Sequence, residues 1–165
     1  QSPPMHAQRA RAITGRRMGG FGARRIALDR PDTFGAVGSI SGAVDPRCCT
    51  DEPGIAHVFG DPDRHPSFWN RNVIVENARA FVRAHLDLTI DCGRDDAFVD
   101  SNRTLHERLV ALGVPHDYAE RPGGHTWDYW ANAIRYQMRF FATSFQHRGY
   151  AYRAAPPAPG MTRAG

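Results

Sequence analysis

The chain contains no lysine; all 21 of its basic residues are arginine. The bias reads first as the codon usage of a GC-rich gene. A nucleic-acid surface is the functional alternative, because the sequence pI is 9.3 and seven arginines fall within the first 30 residues. It is set aside: 17 acidic residues are interspersed, the net charge is only +4, and no basic block with interleaved aromatics occurs. No run approaches about 18 apolar residues, so no membrane-spanning helix is encoded. Cysteine is scarce, with three in 165 residues. Cys48 and Cys49 are adjacent, which suits neither an ordinary disulfide nor a metal-ligand pair. Cys92 closes an apolar run and reads as a buried thiol. No signal-peptide pattern is visible, and a cytoplasmic setting is expected. The first residue is Gln1 rather than Met, which leaves a fragment, a processed product and a mis-called gene start all open.

The length suits one domain and is enough to bury a core without metal or disulfide. The pattern predicts coil over 1–10, a strand over Arg11–Thr14 and a helix over Gly19–Arg30, with Phe21, Ile26 and Ala27 inward and Pro31 as its stop. A second strand is expected over Phe34–Ser41. Residues 42–68 are rich in Gly, Pro, Asp and His and read as a long excursion with one short helix at most. Ser67 is a plausible cap for a helix over Trp69–Val82. A third strand is expected over Leu86–Cys92, with Leu86, Leu88, Ile90 and Cys92 facing one way. A helix over Asp100–Gly113 carries Leu105, Leu109 and Leu112 as its stripe and ends on Gly113. A fourth strand over His116–Arg121 and a helix over Trp127–Phe145 follow. The last helix has the stripe Trp127, Trp130, Ile134, Met138, Phe141 and Phe145, read as core packing. An Ala- and Pro-rich tail over 149–165 is expected to be disordered. Strand and helix in alternation imply a parallel sheet with helices on its faces.

The most informative absence is a single serine. Gly15-Arg16-Arg17-Met18-Gly19-Gly20 lies between a strand and a helix, the setting of a G-x-S-x-G nucleophile elbow. The frame is intact except at its centre, where Arg17 stands in place of the serine. Downstream, Asp95 and Asp96 follow the third strand, and His125 sits in Gly123-Gly124-His125-Thr126-Trp127 after the fourth. That is the Ser, Asp, His chain order of α/β-hydrolases. Asp96 has a competing role as a helix cap. Thr14, Ser39 and Ser41 lie near the elbow but on no sharp turn, and read as structural. Asp51, Glu52, His57, Asp61, Asp63 and His65 match no zinc or calcium spacing and read as a solvated polar loop.

Gly15 to Ala23, "FGAVGSISGAVDP" over 34–46, Asp91 to Phe98 and Pro122 to Trp130 together resemble the esterase D / antigen 85-like family of α/β-hydrolases. That family contains serine esterases, S-formylglutathione hydrolases and acyltransferases. The likeness spans roughly residues 9–146. It implies a partial three-layer sandwich of about four parallel strands, the C-terminal half of an α/β-hydrolase domain over 11–148. The four strands and the oxyanion loop that precede the elbow in the family would be absent. It implies His125 as the general base, Asp96 as the triad acid with Asp95 as fallback, and the Met18 N–H as one oxyanion donor. Arg17 occupies the nucleophile position. A guanidinium stays protonated and offers no lone pair for acyl transfer, so an impaired esterase is the expectation. Arg17 should turn toward Asp96 as its nearest anionic partner. Two other readings stand beside this one: a non-catalytic protein that holds a carboxylate or other anion through Arg17, and a decayed gene product. All share the same expected partners. These are a small acyl ester or carboxylate, no nucleic acid, no membrane, no cofactor and no metal. Self-association through the exposed elbow strand is also expected.

Overall fold

Four short strands, each paired parallel with the next, are built from β1 (Ala12–Arg16), β2 (Ala36–Ile40), β3 (Asp87–Gly93) and β4 (His116–Arg121). The computed structural model describes residues 10–50 and 53–149. The coil expected over 1–10 and the tail expected over 149–165 therefore lie outside the described residues, except for Ala10 and Gly149. Ile13 pairs with Val37, Val37 with Leu88, and Ile90 with Tyr118. The helices are α1 (Met18–Asp29), α2 (Pro53–Phe59), α3 (Pro66–Asn72), α4 (Phe81–Ala84), α5 (Val99–Ala111) and α6 (Trp127–His147).

The two faces of the sheet hold separate cores. On one, Val37, Leu88 and Ile90 meet Phe21, Ala23 and Ala27 of α1 and Leu105 and Leu109 of α5. On the other, Ile40 meets Tyr129, Trp130 and Ala133 of α6. This is the expected three-layer arrangement, with alternate strand residues serving opposite faces. Leu105 and Leu109 are fully buried, each contributing about 1.5–3 kcal/mol. α5 ends in a Schellman motif: the Gly113 N–H donates to Val110 and the Val114 N–H to Leu109, with Gly113 at φ 66.

Several expectations are corrected. The helix expected over Trp69–Val82 is two pieces, α3 and α4, joined by a 3-10 turn over Ala78–Ala80. The β-branched Val73 goes extended, and the Asn77 amide donates to the carbonyls of Asn70, Arg71 and Val73. α3 starts one turn early, on His65 and Pro66, so Ser67 is not its cap. The 42–68 excursion holds a 3-10 turn over Pro46–Cys49 as well as α2. Ile26 is exposed, and Arg24 is buried among the inward residues of α1. In α6, Trp127 and Met138 are exposed, and the buried stripe is Tyr129, Trp130, Ala133, Gln137, Phe141 and Ser144. The strands under α6 present small and polar residues such as Thr14 and Gly38 beside Ile40, and its contact face accordingly carries Gln137 and Ser144 among its aromatics. A Cβ on Gly38 would strike the Gln137 amide and Phe141, and Gln137 bonds Thr14 and the Ser39 carbonyl.

On β4, Arg103 forks onto Glu120 with two 2.8 Å bonds, and the Tyr118 hydroxyl adds a third at 2.6 Å. The Arg103 bonds first, and then Tyr118, lower the Glu120 carboxyl from 4.5 to about 2. A depressed carboxyl contributes stability that is present above its unfolded value and lost as pH falls through the folded one. Acid titration should therefore erode stability between pH 4.5 and 2. Glu120→Gln should flatten that limb when melting is followed against pH.

Candidate active site

β1 runs straight into α1 through one residue. Arg17 takes φ 52 and ψ −127, a conformation that costs a non-glycine residue about 1–3 kcal/mol. Its carbonyl accepts from Gly20, Phe21 and Ala43, and its N–H donates to Ile40. The turn is this tight because Gly15 has no Cβ; one would run into the Gly19 backbone. With Gly20 and Phe21 folded onto Arg17, the Met18 and Gly19 N–H groups lead the helix with no backbone acceptor among the described residues. The elbow frame read from the sequence is thus present in full backbone geometry, around an arginine.

Asp96 and His125 come together across 29 residues. His125 Nδ1 lies 3.0 and 2.9 Å from the two carboxylate oxygens of Asp96, whose side chain is wholly buried. A carboxylate only accepts, so Nδ1 carries the proton. Nε2 is left as the acceptor, buried and without a hydrogen-bond partner among the described residues. Edge-on contacts from Phe98 and Trp130, at 5.3 and 4.9 Å, hold the ring. Asp96 also accepts the Phe98 N–H at 2.9 Å in a local turn, but the N-cap of α5 is Phe98 and no side chain caps it, so the capping role expected of Asp96 is not taken. Asp95, the fallback acid, does something else: its backbone and carboxylate bond Gly123, fixing the loop that carries His125.

That loop is also held at both ends by Asp91, which the sequence reading passed over. Asp91 is buried. It ion-pairs with Arg121 just before the loop and accepts the Tyr129 hydroxyl at 2.5 Å just after it. The available signal was an acidic residue inside a strand whose alternate residues Leu88, Ile90 and Cys92 are apolar. Gly93 lets the loop approach; a Cβ there would run into the Gly123 carbonyl. Gly93→Ala should cost about 1–3 kcal/mol through overpacking, read as a lowered melting temperature.

The expected Arg17–Asp96 pair does not form. Arg17 is exposed, and no ion pair reaches it among the described residues. Asp96 is fully covered and already bonded to His125 and Phe98, so its carboxylate offers no free face. The neighbouring Arg16 turns to the α6 side instead, its guanidinium 4.0 Å from the Trp127 ring centre and 4.4 Å from that of Trp130.

Behind the elbow, Arg24 is fully buried. Its Nη2 donates to the Ala43 carbonyl at 2.7 Å, while Nε and Nη1 have no partner among the described residues. Burial lowers its guanidinium to about 9, and burial likewise pushes the nearby Cys92 thiol up to about 12. Asp51 and Glu52 lie outside the described residues. Among those described, no group of three or more His, Cys, Asp or Glu could hold a metal ion, and no helix is long and apolar enough to cross a membrane.

Comparison with known proteins points to one family. The Esterase family profile matches residues 2–141. The chain is 29% identical over 143 residues to an acetyl esterase of Caldicellulosiruptor saccharolyticus, covering 77% of this chain and 54% of that protein. It is 28% identical to the S-formylglutathione hydrolase of Mus musculus, covering 66% of this chain and 37% of that one. The fluorophosphonate-binding serine hydrolase FphF of Staphylococcus aureus superposes with a TM-score of 0.67 at 22% identity, over 81% of this chain and 55% of that one. The chain thus spans about half the length of these relatives, or less, and its four strands and helices are part of an α/β-hydrolase fold.

Proposed function

This chain belongs to the Esterase family, and from that membership we propose that it carries the acid–base half of a serine-esterase site with no nucleophile at its elbow. One observation carries the reading: His125 is oriented by Asp96 with Nε2 left over, while the residue in the strained elbow conformation is Arg17. In an esterase of this kind the base removes a proton from the elbow hydroxyl as it attacks the acyl carbon. Here the base is in place and the attacking oxygen is not. The Met18 N–H is proposed as the oxyanion donor. Ester hydrolysis by this chain is therefore expected to equal that of His125→Ala, with p-nitrophenyl acetate as the probe. A His125-dependent rate would overturn the reading.

A second reading rests on Arg17 itself. It is exposed and free of acidic partners among the described residues, beside the leading N–H groups of α1. Such a cation suits a small carboxylate. Acetate binding that is lost in Arg17→Gln, with the fold intact, is the result this reading requires.

A further inference from the structure

On the α6 side of β1 lies a cleft of about 300 Å³ lined by Thr14, Gly15, Arg16, Ile40, Trp127, Trp130, Ala131 and Ile134. That is the lower end of the range for small-molecule pockets. Its walls are mostly apolar; Thr14, whose hydroxyl is bonded to Gln137, and Arg16 are the polar residues among them. The two indoles stand nearly perpendicular, 76° apart with centres 5.3 Å from each other, and the Arg16 guanidinium sits in the corner between them. No ion pair or side-chain hydrogen bond to Arg16 occurs among the described residues. Trp127 is 68% exposed, although Tyr129 and Trp130 in the same turn of the helix are buried.

We propose that this cleft binds a flat aromatic carboxylate. A guanidinium lying over a ring keeps its N–H donors free in its own plane, where they match a carboxylate fork to fork. Its charge is unopposed within an apolar cleft, so an anion is favoured and a cation is not. The exposed face of Trp127 offers the ring a stacking surface that now meets water. Trp130 also touches His125, which places the bound ligand next to the acid–base pair. The site uses Arg16 and not Arg17, so it stands or falls separately from either functional reading above.

The test is a titration of the full chain with 2-naphthoate, and with neutral 2-naphthylmethanol as control. It is followed by calorimetry and by the indole N–H resonances. The Trp127 and Trp130 signals should shift, and that of Trp69, buried in the other core, should not. Naphthoate should bind at least tenfold more tightly than the alcohol. Arg16→Gln should abolish that preference, and Trp127→Ala should weaken both ligands. Equal affinity for acid and alcohol, or unchanged binding in a folded Arg16→Gln protein, would overturn the proposal. Trp127→Ala alters an exposed residue, so it remains a test if Arg16→Gln fails to fold; unaltered naphthoate binding there is equally fatal.

Discussion

Arg24→Leu should raise the melting temperature by roughly 4–8 °C, equivalent to about 2 kcal/mol for a chain of this size. Arg24 is wholly inside the protein. It makes one hydrogen bond, to the Ala43 carbonyl, and leaves Nε and Nη1 without partners among the described residues. The nearby Cys92 thiol, raised by burial to about 12, is neutral and supplies no counter-charge at pH 7. Replacing buried ionic groups by apolar residues of similar volume stabilises proteins by about 1–4 kcal/mol. Against that gain stands the Ala43 carbonyl, whose lost donor costs about 1 kcal/mol. The sign is also visible in pH. Burial lowers Arg24 from 12.5 to about 9, so between those values the unfolded chain binds more protons, and this residue's contribution makes stability rise with pH. Cys92, raised from 9.0 to about 12, acts in the opposite direction over the same window. Arg24→Leu should remove only the rising component. A melt unchanged or lowered by the substitution would mean that the guanidinium is solvated in a way its surroundings do not indicate.

Asp96→Asn should switch the His125 tautomer. The carboxylate accepts from the Phe98 N–H and from His125 Nδ1 at 2.9 Å each. An asparagine keeps an oxygen for Phe98 and turns its NH₂ toward the ring. That arrangement needs Nδ1 as the acceptor and moves the proton to Nε2. Nitrogen-15 NMR of labelled histidine should show the protonated nitrogen change from Nδ1 to Nε2. Loss of the charge-assisted bond should lower stability by about 2 kcal/mol. In an Arg17→Ser background the same change should reduce reactivity at the elbow by about 10⁴-fold, because the imidazole can no longer accept the hydroxyl proton. Retention of the Nδ1–H form would show that the loop, and not Asp96, sets the ring.

Much of this site was legible because its signals are local. Gly15 and Gly19 frame the elbow, and Asp96 and His125 follow successive strands, of which β3 alternates Leu88, Ile90 and Cys92 with polar residues. The backbone at Arg17 follows the frame regardless of its side chain. Features set by packing between distant segments were not legible. α6 was misoriented because Trp127 and Met138 look like core residues, while Gln137 and Ser144 do not. Only the contacts of Gln137 with Thr14 and Ser39 explain which face is inward. Arg24 reads as a surface residue in any helical pattern, and its burial follows from the approach of Gly42 and Ala43. Asp91 joins β3, β4 and α6 through Arg121 and Tyr129, a relation between three segments that spacing cannot encode. Arg17 was expected to find a carboxylate, but the nearest one the sequence offers is consumed by His125.

Intact mass after treatment with excess fluorophosphonate tests the central claim most directly, because that reagent modifies only an oxygen activated by the site's own base. The unsubstituted chain should remain unmodified. Folded Arg17→Ser should gain one adduct, at position 17, which Arg17→Ser/His125→Ala should not form. A His125-dependent adduct on the unsubstituted chain would contradict the account, since it would reveal a nucleophile elsewhere in the site.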